Sequence, residues 1–406
     1  MINQFKSLCI FFTLFPGAFS AQASEYSIVQ NGPHPTQSIR SWHLKELWKV
    51  GPDDDLIFGQ IVDIKMDSKS NTFILDYQTQ EVSVINSEGF VIKVMGRQGD
   101  GPGETQLARK IFLQDDGGVG LLEAFPGSIV WLKNNGDPDG KTVVSIGEDE
   151  EVIVGCMSGT RQFGHLVLVI DQITFKDDGP QSTTQFVGIL PHGGISHTYR
   201  TVPDDTYLKG TLDGVVNESK SYQQLWNRWD VDPAGNLWFA SQRDQYLVQC
   251  ATPEGVVIKS FTKEGFRPKR SAEAKMKRQK KLTEEYSLTN PPIVIGDHDP
   301  WINRLWITDT QWGCEIWVES AASFNDLPEG VMIRYDIFNT DGELRNQVDI
   351  HGVGDPLFDR WYVIEGKYLV MVRNENEGGF DFDDETNPRF DDTDLEVICY
   401  RILYEE

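Results

Sequence analysis

The sequence is poor in the residues that hold small domains together through disulfides or a metal. It has 5 cysteines among 406 residues, and they form neither a C-x-x-C motif nor a cluster with histidine, so nothing indicates a zinc site. An exported chain could form disulfides. However, Cys156, Cys250 and Cys399 lie within predicted strands of different repeats. We therefore expect buried, unpaired thiols.

Catalytic signatures are also missing. The sequence contains no G-x-S-x-G or H-E-x-x-H motif, and its 7 histidines are scattered without metal-ligand spacing. The triplet Asp297-His298-Asp299 comes just before a predicted strand, and we interpret it as turn chemistry. Because no nucleophile and base come together as a set, the sequence favours a binding or scaffold protein over an enzyme.

Positive charge is in deficit. Lysine and arginine number 37 against 62 aspartates and glutamates, which gives a formal net charge of -25. A chain this acidic is repelled by phosphate backbones and by anionic lipid, so we expect neither nucleic acid nor a membrane surface as its partner. Beyond the N-terminus no stretch is long and apolar enough to suggest a transmembrane helix, so no membrane insertion is expected.

The N-terminus has the pattern of a secretory signal peptide. Lys6 is the charged end, residues 8–15 are the apolar core, and Ala21-Gln22-Ala23 is a small-residue cleavage site. We therefore expect residues 1–23 to be removed and the mature protein to begin near Ser24. This predicts a periplasmic or extracellular protein.

The stretch at residues 61–104 is the organising element of the chain. It contains four apolar alternations of period two, IVDIKMD, NTFILDY, EVSVINS and VIKVMGR, separated by the turn signals SKSN, QTQ and SEG. Such alternation predicts four half-buried antiparallel strands in a meander. One meander alone leaves two open edges and a bare apolar face, so it needs copies of itself for stability.

Further repeats supply those copies. They cover residues 110–147, 151–202, 226–262 and 293–349, and a last repeat at 360–404 has only three strands. An orphan strand at residues 41–51 precedes the first repeat. If it pairs as the outermost strand of the last repeat, the ring closes and its open edges disappear. The alternative is a stack of sandwiches with a frayed terminus.

These repeats predict an all-β fold, a six-bladed β-propeller of four-stranded antiparallel blades, over residues 41–406. Residues 24–40 are then an N-terminal extension. Residues 266–292 are expected to contain a short helix between the fourth and fifth blades.

One family resemblance rests on specific residues of the first repeat. The loop GRQGDGPGE follows that repeat, and WDVDPAGNLWFA and RLWITDT with YDIFNTDGE occur in later ones. With the first-repeat residues, these resemble NHL-type six-bladed β-propeller proteins, especially an exported bacterial group with such a loop. The resemblance implies fold and export but no single activity, since related scaffolds serve binding and, in a few cases, lyase or lactonase chemistry. The first-repeat residues are Asp67, Asn71, Phe73, Leu75, Asp76, Val82, Val84, Gly89 and Gly96.

The glycine-rich loop and the aspartates at strand ends can each be interpreted as structural elements or as ligand sites. The glycine-rich loop at residues 96–104 leads into another strand and not into a helix, so we expect a tight crossing and no phosphate site. Arg97 and Glu104 would then hold the loop in place. Asp67, Asp76 and Asp232 recur at strand ends, where we expect them to accept backbone N–H bonds and not to bind metal.

The long inserts indicate where a ligand would bind. We assign residues 203–224, 266–292, 311–330 and 375–394, with the glycine-rich loop, to connections on one face of the ring, which is the usual binding face. Six residues at strand ends form the expected ligand set for an anionic or peptide-like partner. Salt bridges to neighbouring acids are the alternative for each arginine. The set is Arg97, Arg109, Arg228, Arg243, Trp312 and Arg360.

Two oppositely charged segments complete the sequence evidence. Residues 267–281 are basic and predict a helix capped by Ser271, with a solvated face or a contact to an acidic partner or to the protein's own acidic loop. That loop, residues 375–396, matches no EF-hand, so we predict no cofactor, with calcium as the ion to test.

The functional prediction is therefore a monomeric, exported binding or scaffold protein. Its partner would be a small molecule, a peptide or a protein at the insert-bearing channel face. The alternative is a metal-dependent lyase or lactonase that uses the central channel.

Overall fold

The computed structural model describes residues 26–52, 56–144, 152–176, 179–203, 215–218, 227–285, 292–324, 327–354, 359–373 and 395–404. These residues form twenty-seven β-strands and a single α-helix, which confirms the predicted all-β class. The predicted signal peptide lies outside the described residues, as does almost all of the acidic loop.

Two strands precede the first repeat, and three four-stranded sheets follow in which each strand pairs antiparallel with the next. The leading strands are β1 (Ile28–Asn31) and β2 (Ser38–Val50). Sheet 1 comprises β3 (Ile61–Met66), β4 (Thr72–Asp76), β5 (Glu81–Ile85) and β6 (Val91–Met95). Sheet 2 comprises β7 (Ala108–Leu113), β8 (Val119–Glu123), β9 (Ser128–Leu132) and β10 (Pro138–Val143). Sheet 3 comprises β11 (Val152–Gln162), β12 (His165–Lys176), β13 (Gly179–Ile189) and β14 (Ile195–Pro203).

A fourth sheet and a small helical insert occupy the middle of the chain. The short strand β15 (Val216–Asn217) precedes sheet 4, which comprises β16 (Trp229–Val231), β17 (Leu237–Phe239), β18 (Leu247–Ala251) and β19 (Val257–Lys263). Strand β1 adds to sheet 4 parallel to β19. Helix α1 (Ala272–Glu285) follows, and β20 (Ile293–Val294) then pairs with β15. The Ser271 hydroxyl accepts the N–H of Ala274 at 3.1 Å, so the predicted cap is confirmed.

The rest of the chain forms one eight-stranded sheet together with β2. Its first half comprises β21 (Ile302–Thr310), β22 (Gly313–Ser320), β23 (Val331–Asn339) and β24 (Leu344–His351). Its second half comprises β25 (Arg360–Ile364), β26 (Tyr368–Arg373) and β27 (Glu396–Tyr404). Strand β2 lies between β24 and β27 and joins the halves.

The predicted pairing of the N-terminal strand with the last repeat is confirmed. Strand β2 runs antiparallel to β27, from Trp42 opposite Tyr404 to Val50 opposite Val397, and so supplies the fourth strand of the last repeat. The strand begins earlier than the sequence indicated. Residues 38–43 also pair parallel with β24, and this second partner extends the strand toward the N-terminus.

The fifth repeat differs from its prediction in two places. The segment IVIGDHD, expected as a strand, forms only the two-residue β20, and β20 pairs outside the large sheet. Residues 311–330, expected as an insert, contain β22. Strand β22 belongs to the core, since its Trp317 is fully buried. The pattern of the sequence did not predict this strand, because the buried Glu315 and Glu319 interrupt its apolar alternation.

Turn chemistry explains how the strands are connected at such short intervals. Asp67 accepts the backbone N–H groups of Lys69 and Asn71, and Asp232 accepts those of Ala234 and Asn236. These are Asx turns, so their predicted structural role is confirmed.

The turn between β5 and β6 requires glycine. Gly89 has φ +90°, and a Cβ there would lie 2.6 Å from Cβ of Trp48 in β2. This turn of sheet 1 therefore touches the N-terminal strand directly.

The core consists of apolar clusters between successive strand groups. Each sheet packs against the next, the two halves of the large sheet pack on each other, and the β25–β27 half packs on sheet 1. In chain order, representative pairs are Leu75 with Ile111, Phe112 with Leu168, Phe186 with Trp229, Phe261 with Phe338, Trp317 with Met371, and Val397 with Ile74. Meander sheets packed face to face in sequence are the arrangement of propeller blades.

The first strand of each strand group lies beside the first strand of a neighbouring group, and this contact positions the site. The Asp63 carboxylate on β3 accepts the N–H of Ile111 on β7 at 2.9 Å. Asp230 on β16 accepts the N–H of Ile307 on β21 at the same distance. Arg304 on β21 donates to the Trp361 carbonyl on β25 at 2.8 Å. These hydrogen bonds tie the first strands of neighbouring groups to one another.

Candidate functional site: a basic cluster on the first strands

Four cationic side chains from different strand groups meet at the first strands. They are Lys65 on β3, Lys110 on β7, Arg304 on β21 and Arg360 on β25, and we call them the basic cluster. The positive charges of Lys65, Arg360 and Arg304 all act to lower the pKa of Lys110. The four groups therefore lie close enough to repel one another, although they are far apart in sequence.

Lys110 is the centre of this cluster. Burial is the main cause that lowers its pKa, and the three neighbouring cations lower it further. Asp63 opposes them, with its carboxylate oxygen 3.7 Å from Lys110 Nζ. Because positive charges around Lys110 outnumber this one carboxylate, an added anion would be attracted to it.

Nearby acids are engaged in holding the strands. Burial raises the pKa of Asp230 to about 6, although hydrogen bonds from Ile307, Val231 and Gln162 and the charge of Lys65 act in the opposite direction. Burial also raises the pKa of Glu319 on β22, against the charges of Arg304 and Arg360.

Aromatic rings support the guanidinium groups. The guanidinium carbon of Arg304 lies 5.6 Å from the Trp306 ring centroid and 5.9 Å from that of Tyr362. Arg360 lies 5.1 Å from the same Tyr362 ring. Stacking of this kind fixes the plane of a guanidinium group.

The predicted ligand set divides into several locations. Arg109 and Arg360 lie on first strands, and Arg109 sits 5.6 Å from the Tyr77 ring centroid. Arg228 and Arg243 are buried: Arg228 donates to the Ala240 carbonyl, and Arg243 pairs with Asp244. Through these contacts among the described residues, Arg228 and Arg243 have structural roles.

Arg97 holds the glycine-rich loop, as the structural interpretation of the sequence predicted. Its guanidinium lies 2.5 Å from Glu104, whose carboxylate also accepts the Gly101 N–H at 2.8 Å. These contacts lower the pKa of Glu104, with the Gly101 hydrogen bond as the largest cause and the Arg97 bond next. The loop is a tight crossing between β6 and β7.

Trp312 lies on the opposite face from that expected. It sits in the turn between β21 and β22, the first and second strands of their group, whereas the glycine-rich loop joins a last strand to the next first strand. In an antiparallel meander these two classes of connection point to opposite ends. Trp312 is 44% exposed, stacks on Trp42, and carries the Arg40 guanidinium 3.9 Å from its ring centroid. Placing residues 311–330 with the other inserts was therefore wrong for this turn.

The basic helix is tied to acids of its own chain. Arg270 and Arg278 pair with Glu218, and Lys275 pairs with Asp297. The predicted contact with the acidic loop falls on residues 374–394, which lie outside the described residues.

The Asp297-His298-Asp299 triplet belongs to the same insert as the basic helix. His298 Nδ1 lies 3.0 Å from the Pro268 carbonyl, and Asp299 pairs with Arg270. These contacts support its interpretation as local structure.

Metal ligands and thiols complete the inventory of reactive groups. Across the part of the chain that the structure describes, no group of three or more His, Cys, Asp or Glu side chains could hold a metal ion. Calcium at the acidic loop stays a prediction. Cys156, Cys250 and Cys399 are free and buried as predicted, and Cys314 is free and partly buried.

The described residues contain no helix long and apolar enough to cross a membrane. No protein-family model matches the chain, and no curated protein sequence matches it.

Solved structures do align with the chain. A Bacteroides fragilis protein described as exported aligns over 94% of this chain and 100% of its own, at 10% identity and a TM-score of 0.48. Virginiamycin B lyase from Staphylococcus aureus aligns over 88% and 99%, at 11% identity and a TM-score of 0.40. The calcium-binding protein regucalcin from Agrobacterium tumefaciens aligns over 90% and 96%, at 10% identity and a TM-score of 0.41. Likenesses this distant do not identify what this chain binds.

Proposed function

We propose that the protein is an exported, closed six-bladed β-propeller that binds a small anionic ligand in its central channel. Two observations support the ring: β2 supplies the missing strand of the last repeat, and apolar clusters join each strand group to the next and the last to sheet 1. Residues 41–406 would then form one propeller domain. Residues 24–40 would be an extension whose strand β1 covers the outer edge of sheet 4.

The observation that carries the binding proposal is the basic cluster. A chain with a net charge of -25 repels anions over most of its surface, yet the first strands bring Lys65, Lys110, Arg304 and Arg360 together. An anion among them would offset the three positive charges that act on Lys110 and would raise its pKa. The ligand group is a carboxylate or a phosphate, carried by a small molecule or by a peptide.

Titration calorimetry with inorganic phosphate and with succinate tests the proposal. We expect Lys110→Met and Arg304→Met each to weaken binding by about tenfold or more, because each removes a charged hydrogen-bond donor. Lys141→Met and Arg345→Met are matched controls, since both residues lie on outer strands and pair with acids there. Equal weakening in the controls, or no binding by the wild-type protein, would contradict the proposal.

Metal analysis separates this proposal from the enzyme alternative. The protein is purified without chelator and its metal content is measured. Stoichiometric zinc or calcium that the basic-cluster variants retain would favour a metal-dependent lyase or lactonase over an anion-binding protein.

A further inference from the structure

A second cavity lies between sheets 3 and 4, away from the first strands. Its volume is about 280 Å³, close to the lower end of the ~300–1,000 Å³ of ligand pockets. Strand β14, the last of sheet 3, forms one wall, and sheet 4 forms the other. The lining includes Thr198, Arg200, Thr201, Phe239, Ala251 and Val257.

Arg200 is the charged group of this cavity. Its guanidinium carbon lies 4.7 Å from the centroid of the fully buried Phe239 ring. Burial lowers the pKa of Arg200. Its Nε has no hydrogen-bond partner, and no carboxylate among the described residues forms an ion pair with it.

Two arginines with almost completely buried side chains offer a contrast. Arg243 and Arg270 each pair with Glu218, which is how this acidic chain compensates a buried guanidinium elsewhere. Arg200 is partly buried and has no carboxylate partner among the described residues, so an anion that enters the cavity would supply part of that compensation. Because Phe239 covers one face of the guanidinium, its N–H edges are the groups left for a planar acceptor.

We propose that this cavity is a binding site for a small monocarboxylate with an apolar body. The carboxylate would accept hydrogen bonds from the Arg200 guanidinium and from the Thr198 or Thr201 hydroxyl. The body would lie against Ala251 and Val257, which supply the apolar part of the wall. This site is independent of the basic cluster.

Calorimetric titration with benzoate tests the site, with benzamide as the neutral isostere. We expect benzoate to bind one-to-one, benzamide to bind at least about tenfold more weakly, and Arg200→Met to lose a similar factor. In Lys110→Met, which weakens carboxylate binding at the basic cluster, one benzoate should still bind with the affinity that depends on Arg200, and this separates the two sites. Arg345→Met is the control for loss of an arginine on an outer strand.

A second variant, which fills the cavity, tests the site even if Arg200→Met folds poorly. Val257→Phe leaves the guanidinium in place but occupies the apolar part of the cavity, so it should weaken benzoate binding while the melting temperature shows that the fold is retained. Equal binding of benzoate and benzamide, unchanged binding in both variants, or no binding by the wild-type protein would overturn the proposal.

Discussion

Glu218 shows how this acidic chain uses its few cations. Its carboxylate accepts hydrogen bonds from Arg270 at 2.6 and 3.0 Å, from Arg278 at 2.8 Å, and from the Gly296 N–H at 2.9 Å. Burial acts to raise the pKa of Glu218, but these hydrogen bonds outweigh it and lower the pKa to about 2. The residue therefore anchors helix α1 to the strand pair β15 and β20.

Glu218→Gln should lower the free energy of unfolding by about 3–5 kcal/mol at neutral pH, because Arg243 and Arg270 lose the buried carboxylate that they share. Since the folded pKa of about 2 lies below the unfolded value, the stabilisation is full above about pH 4.5 and is lost as pH falls toward 2. Urea denaturation at several pH values should show the difference between wild type and variant shrinking through that window.

The control for this prediction is Asp341→Asn, which removes an exposed ion pair with Lys259. It should change stability by less than about 1 kcal/mol. A Glu218→Gln difference that does not vary with pH would mean that the carboxylate is not the source of the stabilisation.

At the same scale, the sequence indicated only part of the basic cluster. Of its four members only Arg360 was identified, because it lies at a strand end. Lys65, Lys110 and Arg304 were missed, because their convergence depends on which strands become neighbours and no spacing in the sequence records that. A signal existed in hindsight: the first strand of four different repeats carries a basic residue, and aligning those strands would have shown it.

Strand β2 is the element on which the proposed ring closure depends. Its first half pairs with β24 and its second half with β27, so one strand connects two strand groups. Trp48 is 5% exposed and packs in the cluster that joins the β25–β27 half to sheet 1. The neighbouring Leu47 is 39% exposed. The two residues therefore form a matched pair within one strand.

Trp48→Ala should reduce the free energy of unfolding by about 3–5 kcal/mol, because a buried indole is lost from that cluster. Leu47→Ala should cost less than about 1 kcal/mol. Thermal or chemical denaturation measures both. Similar, small losses for the two variants would mean that β2 is not part of the cooperative core.

Element prediction succeeded where local pattern and tertiary role agree. Sheet 1 follows its alternations strand for strand, and Asx turns mark its ends. Prediction failed at β22, where Glu315 and Glu319 are buried in the strand and Glu315 accepts the indole N–H of Trp317. In a sequence, a buried glutamate cannot be distinguished from a solvated one. For this reason residues 311–330 were predicted to be an insert and not to contain β22.

For the whole molecule, the net charge and the proposed export can be considered together. A net charge of -25 keeps a protein soluble and apart from anionic surfaces, so anions would concentrate only where the fold gathers its cations. Mass spectrometry of protein from the periplasm or medium should show an N-terminus near Ser24. Recovery of only an intact Met1 form from the cytoplasm would contradict export.

A crystal structure of the mature protein grown with selenate tests the central claim most directly. Selenate is a tetrahedral dianion whose anomalous signal marks its position without ambiguity. The account predicts six blades closed through β2 and a selenate within hydrogen-bond distance of Lys110 Nζ and the Arg304 or Arg360 guanidinium. An open arrangement of sheets, or a basic cluster that binds no selenate while the ion occupies other sites, would contradict it.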